Sequence, residues 1–232
     1  MLRVGLAMLQ GARHEHAEAL RGAAKELGFE VDVVPCRTAL EVSDDWDALV
    51  PPGGESTTMR IASQHESLLN GLYAWMERHP MRPVLGTCAG AILLANPGGE
   101  HAPFVRVDVA RNAWGRQRDS FEAAINVDLL TPDGRDVEVD APVADAFSHQ
   151  PLEVMSQGAA LLAGAFPGVF IRAPRFDSDT VRCEVVARLG NEIVGVKDGA
   201  RMALTFHPEL TLDRRFHRWL LHEAIQAKEA VP

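Results

Sequence analysis

Residues 2–9, LRVGLAML, form a nearly continuous apolar run, and such a run suits a strand buried on both faces. That strand needs helices above and below it, and the chain supplies them in alternation. HEHAEALRGAAKELG (14–28) follows, with Ala17, Leu20, Ala24 and Leu27 at helical spacing and Gly28 placed as a C-cap. FEVDVVP (29–35) reads as a strand, and WDALVPPGG (46–54) as a short strand ending in a glycine turn. Ser63 and Glu66 make a capping-box pattern ahead of SLLNGLYAWMERH (67–79), a helix. RPVLGTC (82–88) is a strand, and AGAILLA (89–95) starts the next helix. The rhythm predicts an α/β fold, an open, mostly parallel sheet flanked by helices.

The second half is β-rich. FVRVDVA (104–110), FEAAINVDLL (121–130), VFIRAP (169–174), VRCEVVARL (181–189), EIVGVKDG (192–199) and RMALTF (201–206) all read as strands. Gly190-Asn191 and Asp198-Gly199 read as hairpin turns, which makes this half antiparallel. TLDRRFHRWLLHEAIQA (211–227) closes the chain as an amphipathic helix with a Thr-x-Asp start. Residues 131–168 mix turn residues with apolar pieces and read as a long excursion holding a short helix. No repeat or linker divides the sequence, so residues 1–232 are expected to form one domain.

The net charge of −9 argues against a nucleic-acid or anionic-membrane partner, since either wants a basic face. No apolar stretch has the length of a membrane span, and the N-terminus reads as a core strand, not as a signal peptide. Cys36, Cys88 and Cys183 are odd in number and widely spaced, which predicts free thiols in a reducing, cytoplasmic compartment.

Cys88 lies in Gly86-Thr87-Cys88-Ala89-Gly90, between a strand and a helix. A sharp strand-to-helix turn needs small residues two before and two after a nucleophile, because backbones crowd there. A helix N-terminus favours the thiolate, and the Ala89 N–H is placed to stabilise an oxyanion. Taken alone, the pentapeptide fits a buried thiol on a glycine turn equally well. In LTFHPEL (204–210), His207 and Glu209 are two apart on a segment read as extended, so both project to one side. His207 can then take the thiol proton while Glu209 holds the imidazole. VPPGGESTTMR (50–60) follows a parallel strand at the sheet's carboxyl edge. It is either a second source of oxyanion N–H groups or an ordinary tight turn.

The remaining polar clusters carry less chemistry. HEH (14–16) does not converge on a metal at helical spacing, and His217 and His222 share no face; these histidines read as solvated or capping. Cys36 and Cys183 read as small strand hydrophobes. RNAWGRQRDS (111–120) is either a solvated face or a ligand clamp.

GGEST (53–57), GTCAG (86–90) and FHPEL (206–210) together resemble the class I, triad-type glutamine amidotransferases. With LQGARHEH (9–16), ARNAWGRQRDSFEA (110–123) and FIRAP (170–174), the chain is most similar to the glutaminase-subunit family of pyridoxal 5′-phosphate synthase. That resemblance implies hydrolysis of L-glutamine to glutamate and ammonia, with Cys88 as nucleophile, His207 as base and Glu209 as its orienter. It puts glutamine against Gly54, Glu55, Ser56, Arg111, Ile171 and Arg172. The oxyanion hole falls to Ala89 with Gly53 or Gly11. Ammonia would pass to a separate synthase subunit that builds pyridoxal phosphate, and no metal or cofactor is expected in this chain. Against the family pattern, about residues 133–165 look inserted, and they are expected to pack at the surface away from Cys88. Two rival readings are an amidotransferase feeding another acceptor and a catalytically silent regulatory relative. FIRAP and RNAWGRQ argue against the first, and the complete Cys-His-Glu set against the second.

Overall fold

The structure is a computed structural model and describes residues 1–110, 120–135 and 164–230. Most of the 133–165 segment and Arg111 therefore lie outside the described residues. The order is β1 (Leu2–Ala7), α1 (Arg13–Leu27), β2 (Val31–Cys36), β3 (Ala48–Val50), α2 (Ser56–Glu66), α3 (Leu68–Arg78), β4 (Val84–Thr87) and α4 (Ala89–Ala95). Then come β5 (Val109–Ala110), β6 (Ser120–Val127), β7 (Phe166–Ile171), β8 (Arg175–Phe176), β9 (Glu184–Leu189), β10 (Glu192–Asp198), β11 (Arg201–Leu204) and α5 (Arg215–Glu229).

Among the described residues the main sheet runs β2-β1-β3-β4-β11-β10-β9-β6-β7. Pairings from β2 through β4 to β11 are parallel; those from β11 to β7 are antiparallel. Alternation along each central strand feeds two cores. Leu2, Val4 and Leu6 of β1, and Met202 and Leu204 of β11, pack with Phe206 and with Phe216, Trp219 and Leu220 of α5. Ala7, Leu49 and Ala203 face the opposite way, toward Trp46, Trp75 and Leu72. Gly5 has no room for a side chain, because a Cβ there would lie 2.4 Å from Trp46. Helix α1 ends at Gly28, whose left-handed φ of 84° lets the next N–H reach back to Ala24.

The buried Arg201 fixes the start of β11. It donates to the carbonyls of Met76 (2.7 Å), His79 (2.9 Å) and Arg82, satisfying the carboxyl end of α3.

Several sequence expectations need correction. Residues 104–110 are not one strand: only Val109–Ala110 pairs, with β8, while Val105 and Val107 bury as irregular chain. Burial, not strand pairing, is what their apolar spacing records. GGESTTMR is not merely a loop, since Ser56 opens α2. Ser63 lies inside α2, so it is not the N-cap of α3; its hydroxyl nevertheless accepts the Leu69 N–H at 2.8 Å. The second hairpin turns at Gly199-Ala200, with Asp198 still paired to Arg201.

Candidate active site

The carboxyl ends of β1, β3 and β4 converge beneath a cavity of about 290 Å³. Cys88 lies in its wall, between the end of β4 and the start of α4, at φ 48° and ψ −106°. Such a conformation costs a non-glycine residue about 1–3 kcal/mol and persists only where surroundings enforce it. Here the Cys88 N–H donates to the Leu204 carbonyl at 2.8 Å, and its carbonyl accepts from Ile92 at 3.3 Å. The flanking glycines make the turn possible. A Cβ at Gly90 would meet the Pro51 carbonyl at 2.0 Å, and one at Gly86 would meet Gly90 at 2.9 Å.

His207 follows β11 and faces the same cavity. The segment after it is not extended: Pro208–Leu210 form one 3-10 turn, opened by the fixed φ of Pro208. The turn still brings the pair together, with His207 Nδ1 2.7 Å from Glu209 Oε1. Glu209 is fully buried as a side chain. Burial alone would raise its carboxyl, but His16 and His207 beside it hold it below the ordinary range, at about 2. Burial alone would lower the His207 imidazole; the Glu209 charge, and then hydrogen bonds with Cys88 and Glu209, outweigh this and raise it. An ionised carboxylate only accepts, so His207 Nδ1 carries a proton toward Glu209, and Nε2 is the nitrogen left to exchange a proton with the thiol.

Gly53 lies under both groups. A Cβ there would stand 2.6 Å from His207 Cε1 and 3.3 Å from Cys88 Cβ. Its carbonyl backs onto Gly11, where a Cβ would lie 2.0 Å from that oxygen and where φ is 81°. Gly11, Gly54, Glu55, Ser56, Ile171 and Arg172 all line the cavity. Arg172 is a second strained residue, at φ 43°, and Cys88 Sγ lies 3.9 Å from the Ile171 carbonyl. The Glu55 carboxylate caps α2, accepting the N–H groups of Thr57 (2.9 Å) and Thr58 (2.6 Å). Those bonds hold its carboxyl down at about 2. Ala89 begins α4 directly after Cys88.

The structure thus places Cys88, His207 and Glu209 together with Gly11, Gly53, Gly54, Glu55, Ser56, Ile171 and Arg172, and other residues join them. Gln10 accepts the Glu55 N–H at 3.1 Å, tying the β1 loop to the α2 start. His16 and His217 are fully buried, which corrects their reading as solvated or capping residues. Helical spacing carried the signal for both: His16 shares a face with Leu20 and Ala24, and His217 with Leu221. Among the described residues no group of three or more metal-ligating side chains is placed to hold an ion, and no helix is long and apolar enough to cross a membrane.

The SNO glutamine amidotransferase family model matches residues 6–163 and 159–226. The chain belongs to that family. A relative from Thermococcus onnurineus, "Pyridoxal 5'-phosphate synthase subunit PdxT", is 37% identical over 97% of this chain and 100% of its own length. A protein of the same name from Halalkalibacterium halodurans is 35% identical, covering 98% of this chain and 97% of its own. Among solved structures, one described as a glutamine amidotransferase superposes with a TM-score of 0.67 at 34% identity, covering 95% of this chain and 98% of that one. The family's amide-hydrolysing chemistry agrees with a cysteine and a histidine facing one cavity at the sheet's carboxyl edge.

Proposed function

We propose that this chain hydrolyses L-glutamine through Cys88, His207 and Glu209 and hands the ammonia to a synthase subunit that makes pyridoxal 5′-phosphate. The observation that carries it is Cys88, held at positive φ in the cavity wall beside a histidine whose Nδ1 is anchored on Glu209, with Gly53 packed against both. The thiolate attacks the side-chain amide carbon of glutamine. His207 takes the thiol proton and delivers it to the departing nitrogen, releasing ammonia and leaving a γ-glutamyl thioester. Water, deprotonated by the same imidazole, then cleaves the thioester to glutamate. The Ala89 N–H and a second donor from the Gly53 or Gly11 loop stabilise the oxyanion.

Glutamine recognition falls to Gly54, Glu55, Ser56, Ile171 and Arg172, with Arg111 from outside the described residues. The ionised Glu55 suits the α-ammonium group of the substrate, and the Arg172 guanidinium suits its α-carboxylate. Three free cysteines fit a cytoplasmic setting. The 133–165 segment is proposed as a surface insertion within one domain. The names of the relatives favour pyridoxal phosphate synthesis over another acceptor.

Partner dependence tests the proposal. Ammonia is wasted when no acceptor is docked, and the Gly11 loop touches Gly53 at the catalytic groups while lying at the sheet edge. The isolated chain is expected to turn over little glutamine. Adding the synthase subunit should raise glutamate release at least about ten-fold, equivalent to about 1.4 kcal/mol of barrier. Equal steady-state rates with and without that subunit would rule out docking as the switch.

A further inference from the structure

We propose that His16, backed by His217, is a positioning residue whose Nε2–H, held by Thr87, lies against Glu209 and so steadies the carboxylate that orients His207. The inference rests on the Cys88–His207–Glu209 reading and deepens it. Glu209 Oε1 is taken by His207. Glu209 Oε2 is buried and has no hydrogen-bond partner among the described residues. His16 Nε2 stands 3.3 Å from that oxygen and 3.0 Å from Thr87 Oγ1. The Thr87 contact is the hydrogen bond of this nitrogen, and the bare carboxylate oxygen lies against the same N–H without being aligned to it.

The proton positions follow from the carboxylate. It can only accept, so the His16 proton sits on Nε2. His16 Nδ1 is then an acceptor, and it takes the Nε2–H of His217 at 3.1 Å. This leaves His217 Nδ1 as a bare lone pair, and that atom is indeed buried without a partner. Burial disfavours the charged form of both rings, so the relay is neutral. His217 donates to His16, whose own Nε2–H meets Thr87 Oγ1 and lies 3.3 Å from Glu209 Oε2.

The brace joins separate elements. His16 comes from the first turn of α1, just after the Gly11–Ala12 cavity wall; His217 comes from α5. Thr87 immediately precedes Cys88. His16 therefore ties the nucleophile's strand to the orienting carboxylate without lining the cavity itself. A buried carboxylate oxygen that loses the N–H lying against it either gains a proton or turns away. Both outcomes weaken its hold on His207.

The test compares His16→Gln, His16→Asn and His16→Leu by glutamate release with the synthase subunit present, alongside Cys88→Ala and the melting temperature of each variant. A glutamine amide reaches the position of Nε2, whereas an asparagine amide stops at Nδ1. Leu and Asn should lower kcat by about ten-fold or more, with KM kept within about two-fold, and Gln should restore most of kcat. If the Leu variant does not fold, the Gln–Asn contrast decides. Equal kcat for Gln and Asn, or an effect confined to KM, overturns the positioning role. Activity in Cys88→Ala would instead overturn the triad reading itself.

Discussion

Cys88→Ala is expected to abolish glutamine hydrolysis, and His207→Ala to lower it by at least about 10³-fold. In the proposed mechanism the thiol attacks and leaves, and the imidazole moves each proton. Glu209→Ala should leave more residual activity than His207→Ala, because an orienting group acts through the base. It still leaves a buried gap beside His16, so its melting temperature should fall as well. Synthesis of pyridoxal phosphate from added ammonia, measured with the synthase subunit present, should survive all three changes. Loss of that ammonia-dependent reaction would mean that this chain does more than supply nitrogen.

Gly11→Val should cost about 10²-fold in hydrolysis, the scale expected when reacting groups shift by about 1 Å. A Cβ at position 11 would stand 2.0 Å from the Gly53 carbonyl, and φ there is 81°, which a β-branched residue resists. Gly53 must then move, and it is packed under His207 and Cys88. Position 11 is exposed, so the global fold should persist. The comparison to make is glutamate release against alkylation of Cys88 by a small reagent such as iodoacetamide. Hydrolysis should fall while alkylation continues. Wild-type hydrolysis in this variant would show that the Gly11–Gly53 contact has no part in the site.

The sharp turn at Cys88 was legible because small residues flank it in the sequence. Gly86 packs against Leu94 and Gly90, and Gly90 against the Pro51 carbonyl after β3, and the sequence prints both glycines beside Cys88. His207 and Glu209 were legible as a pair two residues apart, although their link proved to be a 3-10 turn and not a strand. The His16–His217 contact was not legible. Its members are 201 residues apart, and only the packing of α1 on α5 unites them. The start of α2 was hidden because Glu55, not a Ser, Thr, Asp or Asn, caps it. Residues 104–110 misled because apolar spacing reports burial, and here burial beside α4 comes without a ladder.

The central claim is that Cys88 alone attacks glutamine. Its most direct test is labelling with a glutamine-derived chloroketone or diazo-ketone, followed by peptide mapping. Cys36 is buried, and burial first of all raises its thiol to about 12; Cys183 is raised by burial and by Asp198. Neither lines the cavity that holds His207. A single adduct on the peptide carrying Cys88, with Cys36 and Cys183 unmodified and prevented by excess L-glutamine, is the expected result. An adduct on Cys36 or Cys183, or inactivation with Cys88 unmodified, would contradict it.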